Sequence, residues 1–253
     1  MRPPELTIVG LSAWIEHRQA LRAIGLELPR GEITAIVGAR GCGKSVFLRC
    51  LNRLHETTAG ARVEGRVELD GVDVYGARVD PVALRRRVGM VFHEPNLFPD
   101  RTIRQNVLAG LRLTGRTNRA TDDAVLEAAL TRVGLWSELR ERTELSADAL
   151  ADGDRQRLCL ARARAVGPEV LLLDEPCAGL DPIATARIED TLQSLRGELT
   201  IVLATHHPQQ AARVADRCAF FLRGELIEYS PANDLFTSPR DPRTEDYLTG
   251  KFG

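Results

Sequence analysis

The eight residues GARGCGKS, Gly38 to Ser45, constrain this chain more than any other stretch. They fit G-x-x-x-x-G-K-[ST], follow the apolar run EITAIV and lead into KSVFLRCLNRL, which reads as a helix. A strand, a glycine turn and a helix in that order let successive backbone amides face inward around a phosphate at a helix N-terminus. Lys44 adds positive charge and Ser45 a hydroxyl able to hold Mg²⁺. Gly38, Ala39, Arg40, Gly41, Cys42, Gly43, Lys44, Ser45 and Val46 are thus the candidate phosphate-binding residues.

The rest of the chain has the rhythm such a loop requires. ELTIVG, LRAIGLEL and EITAIVG read as early strands, GRVELDGVDV as a hairpin closed at Asp70-Gly71, and VGMVF as another short strand. From Glu94 to Arg164 the pattern turns helical: TIRQNVLAGLRL, then TDDAVLEAALTRVG with Thr121 as cap, then RQRLCLARARAV. Strands return at EVLLLD, LTIVLAT and CAFFLRG, separated by the helices PIATARIEDTLQSLR and PQQAARVAD, which predicts a parallel βαβ sheet. Chemistry is then expected at the carboxyl ends of those strands.

Three further elements fit that expectation. VLLLDEP puts Asp174 and Glu175 at a strand end, where Asp174 can hold a metal through water and Glu175 can orient or deprotonate an attacking water. AGLDP supplies Asp181. LATHH ends a strand with His206, a neutral donor able to sense a γ-phosphate.

With these four elements in fixed order, the sequence resembles the ATP-binding subunits of ABC transporters, whose Walker A, Walker B, D-loop and switch-histidine motifs they match. GARVEG, LRRRVGMVF, RQRLCLAR, DEPCAGLDPIATARIED, QQAARVADR and the terminal TEDYLTGKFG look, nearly end to end, like the ATPase subunit of the bacterial phosphate importer. The resemblance implies an α/β P-loop NTPase fold: a RecA-like ABC ATPase core with an antiparallel β subdomain and an inserted α-helical subdomain. As one ABC ATPase domain over 1–253, it would place the β subdomain and core in 1–93 and 165–253 and the helical part in 94–164. It implies ATP and Mg²⁺ as ligands, Glu175, His206 and Lys44 as catalytic groups, and Ser45, Asp174 and His93 at the metal. It also implies pairing with a second ABC ATPase subunit, identical or different, and docking on transmembrane permease subunits.

The chain departs from its family at several positions. His93, in MVFHEPNLFP, stands where the family has glutamine beside Mg²⁺ and water. It can ligate metal, or be a tolerated change on a loop. Val46 removes a hydroxyl near the α-phosphate, a hydrogen bond to charge worth roughly 1.5 to 3 kcal/mol. Where an aromatic residue normally stacks on adenine the register gives Ile15, with Trp14 beside it to take that role after a one-residue shift or to sit in the core.

The largest departure is LADGD, Leu150 to Asp154, aligned with the family's LSGGQ. Ala151 replaces the serine, Asp152 a glycine and Asp154 the glutamine, leaving Gly153. In the family this segment of one protomer holds the γ-phosphate bound by the other. A carboxylate at ~4 Å from a phosphate charge repels it by about 4 kcal/mol at an effective dielectric of ~20. Asp152 or Asp154 is also expected to cap the helix RQRLCLARARAV, worth ~1 kcal/mol, and so to occupy amides a phosphate would use.

Composition limits the partners. With 34 basic and 35 acidic residues in 253, the formal net charge is −1, so no global field draws the chain to nucleic acid or anionic lipid. No nucleic-acid partner is expected, and membrane contact is expected only through the permease. The longest apolar runs, such as VLLL at Val170 to Leu173, are far short of the ~20 residues a spanning helix needs. Five scattered cysteines without a CxxC pair suggest reduced thiols. A peripheral place on the cytoplasmic face of the cell membrane follows as the expected location. HEPNLFPDRTIRQN is the expected permease contact, with Leu97 and Phe98 as apolar anchors or packed within the chain.

Overall fold

A computed structural model of the protein describes residues 6–112 and 119–251. Two strands, β1 (Leu6–Ile15) and β2 (Arg18–Leu28), form an antiparallel hairpin and lead to β3 (Ile33–Val37) and α1 (Lys44–Leu51). Next come β4 (Arg62–Leu69), β5 (Val72–Asp73), α2 (Pro81–Arg87) and β6 (Val88–Val91). Helices α3 (Ile103–Val107), α4 (Ala109–Arg112), α5 (Arg119–Arg132), α6 (Trp136–Leu139) and α7 (Asp152–Ala165) follow. The final third alternates: β7 (Val170–Asp174), α8 (Pro182–Ser194), β8 (Thr200–Thr205), α9 (Pro208–Val214), β9 (Arg217–Leu222), β10 (Glu225–Pro231), α10 (Ala232–Thr237) and α11 (Pro242–Leu248).

Two sheets result. One is antiparallel, in the order β2-β1-β4-β5; the other runs β10-β9-β3-β8-β7-β6 and is parallel except for the β9–β10 pair. In the second sheet β3, β7 and β8 are buried at every position, as expected of strands covered on both faces. Phe47 of α1 packs its ring edge-on against Phe221 of β9, joining α1 to the sheet on the face shared with the antiparallel layer. A separate apolar cluster, including Val107, Leu130 and Leu158, unites the helical region with the other face. The fold is thus an α/β architecture in which a mostly parallel sheet, covered on both faces, is joined to a smaller antiparallel one.

Several local readings change. Asp70 and Gly71 do close the β4–β5 hairpin, both with positive φ (51° and 75°), as a two-residue turn requires. Strand β1 runs on to Ile15, and β10 was not legible at all. Helix α2 is another unexpected element, although Asp80 caps it through the amides of Val82 and Ala83 and Pro81 opens it. TIRQNVLAGLRL is two short helices, with Leu108 as the C-cap of the first. Thr121 is not the cap of α5, because that helix already runs from Arg119. Among the described residues, no helix is long and apolar enough to cross a membrane.

Candidate nucleotide site

The strand order makes the site. With β3 between β9 and β8, and β7 beyond β8, the turns that follow β3, β7 and β8 open on the same side of the sheet. A cavity of about 1210 Å³ opens there, lined by residues 39–46 of the glycine loop together with His93, Asp174 and Glu175. Gly38 lies just beneath it. A side chain there would bring its Cβ within 2.3 Å of the Phe221 carbonyl oxygen, and its φ of 150° is one that L-residues avoid. Gly43, at φ 111°, begins α1 in a left-handed conformation with the Ala20 carbonyl 2.9 Å from where its Cβ would be.

Lys44 is buried. Its ammonium donates to the carbonyls of Gly38 (2.7 Å) and Ala39 (3.1 Å) and lies 3.7 Å from Oε1 of Glu175. The Cys42 thiol is 3.9 Å away, and burial raises its pKa. Ser45 Oγ donates to Asp174 Oδ1 at 2.8 Å. Burial pushes the Asp174 carboxyl up, opposed chiefly by that hydroxyl. A hydroxyl and a carboxylate side by side are hard oxygen donors of the kind Mg²⁺ takes, so these residues fit the ion. No group of three or more His, Cys, Asp or Glu side chains gathers to hold a metal among the described residues. The remaining ligands for such an ion would be phosphate and water.

Glu175 has a left-handed backbone (φ 49°), a strained state for a non-glycine residue and one concentrated at functional sites. Its amide donates to Ala204 of β8 at 2.9 Å, and its Oε2 meets Nδ1 of His206. Lys44, Glu175 and His206, far apart in sequence, therefore form one contiguous polar chain. The neighbouring His207 ring lies 4.0 Å from that of His206, and burial holds its pKa down.

The other expected residues are distributed differently. His93 lines the cavity but is largely exposed, with Nε2 3.5 Å from Glu94. Val46 lines it too and packs against the core of the α1 face. Of the two residues expected at the adenine, Ile15 lines the cavity, whereas Trp14 carries the Arg62 guanidinium over its ring at 4.1 Å. Asp181 caps α8 through the amides of Ile183 and Ala184. Gly153, in the first turn of α7, lies so near α8 that a Cβ on it would come within 2.7 Å of the Ala184 Cβ. Neither Asp181 nor Gly153 lines the cavity. Their helix starts sit together elsewhere on the chain's surface.

The start of α7 corrects the expected cap. Ala151 is the N-cap, in extended conformation, and no side chain caps the helix. Asp152 and Asp154 fall inside the first turn, where a negative charge is favourable to the helix dipole without accepting its amides. The reason is local competition. Asp154 accepts from Arg157 at 2.5 Å, and that guanidinium is buried and also donates to the carbonyls of Val133 and Gly134. Asp152 is 80% exposed, with Arg155 3.7 Å away.

The expected permease loop is held from both sides. Gln156 of α7, fully buried, donates to the Phe92 carbonyl at 2.7 Å, Arg162 donates to Asn96, and Asn106 brackets Phe98 through its amide and carbonyl. Leu97 packs inward on the helical core, so it is not an exposed anchor. Phe98 remains 44% exposed between Arg101 and Arg162. Sequence reasoning missed Gln156. Its only signal was a glutamine two residues past LADGD. It also missed Arg18, Arg22 and Arg223, which join Arg40 in giving the cavity a basic rim.

The family model described as ABC transporter matches residues 21–178. Among solved structures, cbiO1 from Clostridium perfringens, described as part of the ABC transporter complex cbiONQ, is similar at a TM-score of 0.81 and 25% identity. That match covers 99% of this chain and 97% of the other.

Proposed function

The chain belongs to the ABC transporter family, and on that premise we propose that it is the ATP-binding subunit that hydrolyses ATP to drive inorganic phosphate import. The observation that carries the hydrolytic part is the meeting of Lys44, Ser45, Asp174 and Glu175 at one cavity, with His206 bonded to Glu175 behind it. The substrate rests on the end-to-end likeness of the sequence to the phosphate importer's ATPase, the C-terminal TEDYLTGKFG included. The chain would work as one ABC ATPase domain, its helical part at 94–164, peripheral on the cytoplasmic side. Like the C. perfringens protein, it would be part of a transporter complex.

In this reading the amides of residues 39–46 and the Lys44 ammonium bind the β- and γ-phosphates. Ser45 and Asp174 would hold Mg²⁺, with His93 beside them. The ion when bound supplies charge neutralisation at the phosphates. Glu175 accepts a hydrogen bond from the attacking water, orients it in line and takes its proton. His206, bonded to Glu175, keeps that carboxylate aimed and presents its other ring nitrogen toward the γ-phosphate. Lys44 offsets charge developing on the transferred group.

A second reading draws on α7: the chain binds ATP but makes a poor partner for its own copy, and pairs with a different ABC subunit. Ala151 has no hydroxyl to offer, and Asp152 projects an exposed carboxylate at the helix start. Steady-state ATPase of the purified chain, alone and mixed with a subunit bearing LSGGQ, tests both, beside the variant Ala151→Ser/Asp152→Gly/Asp154→Gln. Full turnover by the chain alone, unchanged by the restoring substitutions, supports the first reading and excludes the second. Uptake of radiolabelled phosphate by the assembled transporter tests the substrate.

A further inference from the structure

The C-terminal segment reaches the catalytic strands from outside the cavity. Glu228 of β10, almost fully buried, accepts the amides of Arg240 (3.0 Å) and Asp241 (3.2 Å), and Asp241 caps α11 through the Arg243 amide. Thr244 is completely buried. These contacts seat α11 so that the Tyr247 ring stacks on Phe220 of β9, centroids 4.8 Å apart and planes 21° from parallel. Phe220 pairs with Val37, the last residue of β3 before Gly38. The phenol therefore arrives at the start of the glycine loop. Its hydroxyl donates to the His206 carbonyl at 3.4 Å. Burial raises the phenol's pKa, so it remains a donor throughout the working pH range.

We propose that Tyr247 is a positioning residue for His206, tying the histidine's peptide to the C-terminal helix and, through the Phe220 stack, to the end of β3, so that the imidazole stays on Glu175. The 205–207 turn has other restraints on one side: the Thr205 hydroxyl accepts the His207 amide and donates to buried Gln210. The His206 carbonyl is the free end of that turn, and Tyr247 is what meets it. The bond is longer than the ~2.8 Å usual for hydroxyl donors, so its role is to set a position, with the ring stack supplying the docking energy. The inference rests on the reading of Glu175 and His206 as the hydrolytic pair, and it gives the terminal TEDYL stretch a task inside the ATP site.

The test separates hydroxyl from ring. Tyr247→Phe keeps the stack on Phe220 and removes the hydrogen bond to the His206 carbonyl, whereas Tyr247→Leu removes the stack as well. In Tyr247→Phe, amide hydrogen exchange is expected to rise about threefold to tenfold at residues 205–207 and nowhere else. ATP turnover is expected to fall by a similar factor in kcat at unchanged KM, and to show no further fall when the change is made in a His206→Ala background. Unchanged exchange at those residues, a uniform rise across the chain, or an equal loss of kcat in the His206→Ala background would each overturn the proposal. The exchange measurement needs no ATPase activity, so a wild-type chain without turnover would sink the hydrolytic reading while leaving the role of Tyr247 decidable.

Discussion

Nδ1 of His206 and Oε2 of Glu175 are bonded to each other, while the second Glu175 oxygen faces the buried ammonium of Lys44 at 3.7 Å. A carboxylate held between an imidazole and a cation is poised to accept a proton from water without moving. Glu175→Gln keeps the shape and removes the basicity. Turnover is expected to fall 10²- to 10⁴-fold with ATP affinity within a few-fold of wild type. Single-turnover hydrolysis beside equilibrium nucleotide binding checks it, and near-normal hydrolysis would remove Glu175 from the base role.

Gly153, with Leu150, is retained from the signature, and its surroundings supply a packing reason. Gly153→Ala is expected to destabilise the chain by about 1–3 kcal/mol, because its methyl meets Ala184 of α8. Ala184→Gly in the same chain should recover most of that, less the ~1 kcal/mol a helical glycine costs. Urea unfolding of the two single variants and the double variant measures the coupling. Strictly additive effects would mean that the two helix starts do not press on each other.

Asp154 has become a structural partner for Arg157, so restoring the family glutamine carries a penalty. Asp154→Gln leaves the buried guanidinium with its backbone carbonyls alone and is expected to cost about 1–2 kcal/mol. Chemical denaturation of that variant, with Arg157→Leu/Asp154→Gln as the control lacking the charge, reads the loss. Equal stability of wild type and Asp154→Gln would show the pair to be idle.

Buried thiols set the alkaline limit. Burial pushes Cys50 from 9.0 to about 12 and Cys177 to about 11, and raises Cys218 as well. A thiol whose folded pKa is raised keeps its proton in the native state after the unfolded chain has released its own. Its contribution is complete below pH 9 and declines as pH rises through the interval up to the folded value, by at most about 1.4 kcal/mol per pH unit for each thiol. Melting temperature is therefore expected to be flat from pH 7 to 8.5 and to fall between pH 9 and 10.5, less steeply in Cys50→Ala relative to its own neutral-pH value. A melting temperature independent of pH over that range would contradict it.

The legible parts of this molecule are those whose physics is local. Glycine turns, apolar five-residue strands and the Asp70-Gly71 hairpin declare themselves in a few residues, and the placement of the glycine loop, Asp174, Glu175 and His206 at strand ends follows from them. Competition between nearby groups was not legible. Asp152 and Asp154 are better caps than Ala151 by propensity, yet both fall inside the first turn, where Arg157 claims the Asp154 carboxylate and Asp152 stays exposed. Helix α2 has both an aspartate cap and an opening proline, but LRRR has little apolar period to declare it. Contacts such as Gln156 with Phe92 or Tyr247 with His206 depend on the sheet order, which no window of sequence contains.

That sheet order also has a consequence in time. Strand β3 carries the glycine loop and leaves the ribosome early, but its two neighbours are β8 and β9, with Ile33 aligned on Ile201 and Thr34 on Arg217. At typical elongation speeds the emerging strand waits on the order of ten to thirty seconds with both edges unpaired. Whatever shields it over that interval must act on a half-made chain, so slowing translation late in the message should lower the soluble yield more than any single surface substitution.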